Sequence, residues 1–453
     1  MPETLAAASL YEREIQLLAE RRRTQSWRSL PELSAPLVAL HAPKVARMLA
    51  AEVRTGRYEF RPLLPHAALL NGKPRTIYRI DPLDAVVLGV LTRVLAAAIE
   101  PQLGDQLYSY RKGRSQWSAC RALLRYLREH ARARPDPRTR GVFVLRRDVR
   151  RYDENIPVGD DSPLWTTLQG LLAGGRLGID GGEQVLHAFL RRAFRPLVAR
   201  PSGDPRPLDR GVPTGLPTQT IACNTYLLPL DAQLCELAGF YARFGDDILF
   251  AHPEQSVAEE AARRLDAGVD ALGLRFNPDK TNAFWLTRPG RAHASAHANE
   301  LAFTPVARLP YLGFDIGFDG ARLRADKRRG LWLALRARIE QADRLFAALP
   351  EPERAQALCS VVATAFDPRS PLCDRYASWL RFDVMSLADL KQLDHQLALT
   401  IAERLSGLRG VRAFRRYPPR TLYRQHGLPS LVHAFTRARG SAPASTTRQG
   451  ERR

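Results

Sequence analysis

The sequence predicts an α+β fold, and three observations carry that reading. Short apolar runs with strand character cluster in the middle of the chain. They are Val142-Phe143-Val144-Leu145 before Asp148, and Phe240–Phe244 and Ile248–Ala251 on either side of Gly245-Asp246-Asp247. Helical patterns precede and separate them. From Asp326 to about Leu408 the pattern is helical throughout, which sets a domain boundary near residue 323.

Size and charge bound the function. A chain of 453 residues holds two or three domains and a large core. Hydrophobic residues make up 45%, an ordinary globular share. Lys and Arg number 68 against 47 acidic residues, for a net charge of +21 and a pI of about 10.4. Such a surplus suits a polyanionic partner, nucleic acid first. An anionic membrane surface comes second, because no basic amphipathic helix with a bulky apolar face is visible. No run of about 18 apolar residues predicts a membrane span, and Met1-Pro2-Glu3-Thr4 does not open a signal peptide. Cys120, Cys223, Cys235, Cys359 and Cys373 are scattered without a CxxC pair, so free thiols in a reducing cytoplasm are expected. His293 and His297 sit in an Ala- and Ser-rich stretch read as a loop.

In chain order, residues 4–23 read as a helix ending in Arg21-Arg22-Arg23, and a second helix runs from Pro43 to about Thr55. Asn71-Gly72 signals a hairpin turn, followed by Lys73-Pro74-Arg75. An apolar helix spans 82–100. Tyr108 to Ser115 is a basic, aromatic loop, and 116–133 is an amphipathic helix. Arg134 to Arg140 is a Pro/Arg linker. Ser162-Pro163 opens another helix, Gly174 to Gly182 is a turn, and a helix follows over 183–195. Ser256-Val257-Ala258-Glu259 reads as a capping box for a helix that stops at Gly273. Residues 283–305 read as a strand and a loose loop, and Leu309 to Ile316 as a hairpin. Past Arg439 the Ser/Ala/Thr/Arg composition predicts disorder.

The chemistry concentrates on three carboxylates. Gly245-Asp246-Asp247 is a tight turn between two apolar strands, and core strands rarely aim two charges at nothing. Asp148 ends a third strand. Carboxylates converging from neighbouring strands are what a two-metal phosphoryl-transfer site needs, its Mg²⁺ ions about 3.5–4 Å apart.

At this point the order of motifs resembles the reverse transcriptases, in particular the bacterial ones related to group II introns and retrons. Lys73-Pro74-Arg75 resembles the fingers strand that meets the incoming triphosphate. Tyr108 to Ser115 resembles the second fingers motif, with Arg111, Lys112 and Arg114 toward nucleic acid. Val144 to Ile156 resembles motif A, with Asp148 as metal ligand. Gly211-Val212-Pro213-Thr214-Gly215-Leu216-Pro217-Thr218-Gln219 resembles motif B, which places Gly215 and Gln219 beside the nucleotide. Tyr241 to Asp247 resembles motif C, Leu272 to Thr281 motif D with Lys280 as proton donor, and Pro310 to Ile316 motif E. The resemblance covers roughly residues 56–320.

It implies a right-hand polymerase fold: an N-terminal helical extension (1–55), fingers (56–140), a palm with an antiparallel sheet (141–322), a helical thumb and C-terminal region (323–436) and a disordered basic tail (437–453). It implies an RNA-directed DNA polymerase with Asp148, Asp246, Asp247 and Lys280 as catalytic residues. Two Mg²⁺ ions would sit on the three aspartates. An RNA template, a DNA product and dNTPs would be its partners, with a dedicated non-coding RNA as a further candidate. Missing nuclease, zinc and retron signatures point, by exclusion, to a stand-alone enzyme of the phage-defence kind. Untemplated or protein-primed DNA synthesis, and a polymerase-like RNA-binding protein without catalysis, stay open. The main departure is Asp153, where the family carries an aromatic ring that excludes ribonucleotides; Tyr152, one residue earlier, is expected to swing into its place.

Overall fold

The computed structural model describes residues 4–22, 35–70, 73–136, 140–173, 177–201, 203–287, 301–367 and 387–440. The chain divides into two compact units, Met1–Tyr126 with Ala133–Val306, and Leu127–Arg132 with Ala307–Arg453. The division falls ahead of the boundary expected near 323, so the hairpin at 309–316 belongs to the second unit. The segment expected as an extension, the expected fingers apart from Leu127–Arg132, and the expected palm up to Val306 share the first.

The first unit opens with helices α1 (Ala8–Arg22), α2 (Ala35–Leu40) and α3 (Ala42–Arg54). Strands β1 (Leu64–Leu70) and β2 (Lys73–Arg79) pair antiparallel, Leu70 opposite Lys73, as the Asn71-Gly72 signal predicts; residues 71–72 lie outside the described ones. Helix α4 (Pro82–Ile99) starts on Asp81, whose side chain accepts from Leu83 N. By length and composition its stretch could cross a membrane, although Asp84 and Arg93 interrupt the apolar run that the sequence reading sought. Most of it is buried, and a helix apolar on every side belongs in a core. Helix α5 (Gln116–Ala133) leads to β3 (Val142–Asp148).

After β3 come α6 (Tyr152–Asn155), α7 (Pro163–Leu172), capped as expected by the Ser162 hydroxyl on Leu164 N, and α8 (Gly182–Phe194). The short pair β4 (Leu197–Val198) and β5 (Arg206–Pro207) precedes α9 (Gln219–Tyr226) and α10 (Leu228–Cys235). Then follow β6 (Phe240–Phe244), β7 (Asp247–His252), α11 (Gln255–Ala271), β8 (Asn282–Leu286) and β9 (Thr304–Val306). The cap of α11 is Glu254, so Ser256 lies inside the helix and the expected capping box does not form. The loop with His293 and His297 lies outside the described residues.

These strands build one sheet in the order β6-β7-β3-β8-β9, antiparallel except for β8 and β9. Central β3 is buried along nearly its whole length, which is why its sequence is apolar on both faces until the arginines.

The edge strand β6 is tied down by a buried ion pair. Arg243 is fully buried and Asp231, on α10, is 1% exposed. Arg243 Nε donates to Asp231 Oδ1 (2.7 Å) and Nη2 to Oδ2 (2.6 Å). Its remaining N–H groups reach the carbonyls of Cys223, Asn224 and Gly245. All five guanidinium donors are therefore used, and Tyr241 donates to the same carboxylate at 2.7 Å. One side chain thus binds β6 to α9, to α10 and to the turn after β6.

The second unit holds a three-stranded meander, β10 (Leu309–Tyr311), β11 (Phe314–Gly317) and β12 (Gly320–Leu323). Among the described residues six α-helices follow: α12 (Ala325–Leu345), α13 (Glu351–Phe366), α14 (Leu387–Ser406), α15 (Ala413–Arg416), α16 (Pro419–Arg424) and α17 (Leu431–Gly440). Asp394 on α14 caps α17, accepting from Leu431 N and Val432 N. The helix extends through Gly440, past the point where the tail was expected to begin; residues 441–453 and Cys373 lie outside the described ones.

A buried charge left without its partner costs about 3–5 kcal/mol, whereas removing both charges costs less. Asp231→Ala should lower unfolding stability by about that amount, and Asp231→Leu with Arg243→Met by clearly less. Urea unfolding of the three proteins checks this; a double variant as unstable as the single one contradicts it.

Candidate active site

The last pair of the β6–β7 hairpin is Phe244 with Asp247, so the connection is the two residues Gly245 and Asp246. Gly245 adopts φ 65°, the left-handed region that a two-residue turn requires. Asp247 is the first residue of β7 rather than part of the turn. It stands directly opposite Asp148 at the end of β3. Val149 N donates to the Asp246 carbonyl at 3.2 Å, closing the turn over the strand end. Sheet register alone therefore brings all three aspartates to one edge.

Their partners differ. The Asp148 carboxylate accepts from Lys280 Nζ at 2.5 Å. Lys280 ends a short 3₁₀ turn (Pro278–Lys280) anchored by Asn277 N on the Asp148 carbonyl, 2.8 Å. Asp247 is held by Arg146, two residues before Asp148, with Nη2 to Oδ2 at 2.7 Å and Nε to Oδ1 at 3.2 Å. Burial pushes its carboxyl up, and Arg146 opposes that. Among the described residues no cation is bonded to the Asp246 carboxylate, and the Lys280 charge opposes its shift only weakly. Burial, and next the charge of Asp148, push its carboxyl up to about 6.

The donor set fits Mg²⁺ at Asp148 and Asp246, with Asp247 beside them. Among the described residues no three His, Cys, Asp or Glu side chains form a ready metal cage. Mg²⁺ takes one or two carboxylates and completes its shell with phosphate oxygens and water. Asp148 and Asp246 offer that pair, two desolvated anions whose repulsion a dication would relieve. Asp247, expected as the third ligand, is held by Arg146 through one nitrogen on each oxygen, which partly neutralises it and leaves each oxygen a lone pair to offer a cation.

Beside the carboxylates, the loop after Asp148 and the 211–219 turn lock together. Val212 N donates to the Asp153 carbonyl and Gly211 N to the Ile156 carbonyl, both at 2.8 Å. Gly211 has φ 92°, and a Cβ there would meet the Glu154 carbonyl oxygen at 3.0 Å, so only glycine fits. The Asp153 carboxylate accepts from Thr214 Oγ1 (3.1 Å) and Gln219 Nε2 (3.3 Å), while Gln219 Oε1 accepts from Gly215 N (3.3 Å).

Tyr152 does not take the place of the missing ring. It is 4% exposed, and its hydroxyl donates to the Cys223 carbonyl at 2.7 Å. The short helix starting there turns successive side chains apart, sending Tyr152 to the core and Asp153 toward Thr214. A cavity of about 420 Å³ adjoins, lined by Arg75, Tyr78, Glu154, Gly211 and Thr214 among others. Arg75 is ion-paired with Glu154 inside it. That bond first, and the charges of Asp153 and Asp246 more weakly, hold the guanidinium further in its charged form. The backbone of Lys73 lies in β2; its side chain is outside the described residues.

The basic loop divides. Arg111, expected on nucleic acid, is buried and structural. It donates to Glu100 and to the carbonyls of Leu103, Gly104 and Leu107, closing the loop on itself. Arg114 pairs with Asp105 (2.5 Å) and lies over the Tyr108 ring. Lys112 is exposed. Tyr110, at φ 54° and 60% exposed, stands within electrostatic reach of Asp246 and Asp153. Sequence reasoning missed Arg146, Asp231 and Arg243. Only an arginine two residues before a strand-end aspartate hinted at the first, and nothing local tied Asp231 to Arg243.

No protein-family model and no curated protein matches the sequence. Among solved structures, the chain is similar to apo telomerase from Candida tropicalis, at 11% identity and a TM-score of 0.46, over 83% of this chain and 69% of that one. It is similar to telomerase from Candida albicans in complex with a fragment of telomeric RNA, at 10% identity and a TM-score of 0.45, over 93% and 69%. Against apo telomerase from Candida tropicalis truncated from its C-terminal domain, at 11% identity and a TM-score of 0.45, it covers 58% of this chain and spans 55% of that chain's length.

The raised carboxyl of Asp246 makes a stability prediction. A carboxyl that holds its proton more tightly folded than unfolded supports the fold fully below about pH 4, and that support is lost as pH rises through about 6. Asp246→Asn should therefore be more stable than wild type at pH 7, by about 1–3 kcal/mol, and the gain should shrink toward zero near pH 4. Urea midpoints of both proteins between pH 4 and 8 check this; a variant less stable at pH 7 contradicts it.

Proposed function

We propose that the chain is an RNA-directed DNA polymerase, joining nucleotides at the edge where Asp148 and Asp246 meet. The observation that supports this best is the register that sets a strand-end aspartate beside a two-residue Gly-Asp turn, with Lys280 bonded to the same carboxylate. Asp148 and Asp246 would hold Mg²⁺. Bound there, the ions would lower the pKa of an attacking 3′-hydroxyl and neutralise a triphosphate. The protein's own groups do the rest. Lys280 presents an ammonium at the Asp148 carboxylate, where a leaving pyrophosphate would take up a proton. Arg75 offers a guanidinium to phosphate oxygens once it exchanges Glu154 for them. Asp247 and Arg146 neutralise each other and hold β7 against β3. We extend the proposal to an RNA template, dNTP substrates and a cytoplasmic role in phage defence, on the family resemblance of the motifs.

Sugar choice follows from Asp153. With Tyr152 turned into the core, its ring does not close this position, and a carboxylate bonded to Thr214 and Gln219 stands there instead.

Primer extension on an RNA template with Mg²⁺ and dNTPs tests the reading. Wild type should extend, Asp148→Asn and Asp246→Asn should fall to background, and extension by an Asp246/Asp247 double variant would sink the assignment. Asp153→Phe should raise the dNTP-to-rNTP incorporation ratio by about tenfold or more; an unchanged ratio removes Asp153 from sugar choice.

A further inference from the structure

A second polar cavity, of about 520 Å³, opens in the first unit. Arg150, Arg151, Arg210 and Arg275 line it, with Asn155, Gly273 and Leu274, and one carboxylate, Asp270. Four guanidiniums face one acid, and their placement is not incidental. Arg150 and Arg151 follow Asp148 on the loop leaving β3. Arg275 lies on the neighbouring segment, its carbonyl accepting from Arg150 N at 2.9 Å. Arg210 donates to the carbonyls of Asn155 (3.1 Å) and Gly273 (3.1 and 3.2 Å), which fixes its guanidinium without neutralising it. Among the described residues no carboxylate pairs with Arg150, Arg210 or Arg275; Arg151 pairs with Glu154 at 2.5 Å. Arg151 also holds a left-handed backbone, φ 45° and ψ 52°, a strained conformation for an L-residue that persists where the surroundings impose it.

We infer that this cavity binds a compact polyanion of the diphosphate class: free pyrophosphate, or the diphosphate of a nucleotide. Guanidinium forks match phosphate oxygens two at a time, and several converging on one cavity favour adjacent phosphates over a single one. The cavity is far larger than one phosphate requires. A strand of nucleic acid is the poorer occupant, because single-strand grooves add aromatic platforms for the bases, and none of the lining residues is aromatic. The cavity shares Arg151 and Arg210 with the one around Arg75, whereas Arg150 and Arg275 line this one and not that, so they carry the test; the inference goes beyond the proposed polymerase activity.

Calorimetry on the full chain, with chelator present and ionic strength fixed, tests the site without turnover. The titrants are inorganic pyrophosphate, orthophosphate, ADP and a short single-stranded RNA. Pyrophosphate should bind saturably and at least about tenfold more tightly than orthophosphate. Arg150→Gln with Arg275→Gln should weaken it by about 30-fold or more while circular dichroism stays unchanged. Both side chains are exposed, and Arg275→Gln alone serves if the double variant misfolds. ADP equal to pyrophosphate assigns the site to nucleotides, and ADP weaker assigns it to the free anion; either supports the inference. Three results overturn it: an unchanged Kd in the double variant, loss of pyrophosphate binding in Arg75→Gln instead, or an equal loss of RNA affinity in the double variant, which makes the arginines a backbone track.

Discussion

The geometry of the carboxylate edge depends on the Arg243–Asp231 pair. A hairpin at the edge of a sheet has one neighbour strand and is free to splay on the other side. Here β6 is that edge strand, and its arginine is spent wholly inside the protein, on an α10 carboxylate and on carbonyls from α9 and the turn. The last matters most: a buried cation holds the Gly245 carbonyl, and with it the backbone that presents Asp246. A buried ion pair adds little net stability, because desolvating two charges offsets their attraction. What this one supplies is position, as its five donors have one arrangement that satisfies them all.

A second lock sits opposite. The Gln106 carbonyl accepts from Arg243 N and Tyr108 N donates to the Arg243 carbonyl, so the basic loop runs along β6 as a further backbone partner. Ser109 and Asn224 exchange two 2.8 Å hydrogen bonds behind it. With Arg111 turned inward, the loop holds its shape from its own carbonyls, and Tyr110 and Lys112 are what it leaves outside. Charge on a sequence is therefore a poor guide to charge on a surface: a residue with five donors is also the best available knot for a loop with orphaned carbonyls.

Much of the fold was legible because it rests on local signals. The Asn-Gly turn, Pro-led helices and the apolar run ending on Asp148 each name their own structure, and strand-end position with hairpin register carried Asp148 and Asp246 to the same edge. What escaped the sequence were relations between distant residues. Asp247 looks like a bare carboxylate until Arg146 is seen reaching it from the neighbouring strand. Tyr152 looks free to move until the Cys223 carbonyl is found above it. The capping box at Ser256 failed because Glu254 begins the helix two residues earlier, a displacement that local pattern does not resolve. The hairpin at 309–316 was correct as local structure, but its allegiance to the second unit is a matter of packing alone.

The two-residue connection between β6 and β7 also governs how this chain can change through descent. Side chains alternate along β7, with Asp247 and Leu249 on one face and Ile248 and Phe250 on the other. Strand β7 is paired on both sides, to β6 and to β3. A slip of one residue would set Ile248 opposite Asp148 and turn the whole strand over. Length variation is cheap in the chain's surface loops and forbidden here, so relatives of this protein should differ freely in the size of their connections while this turn keeps its count.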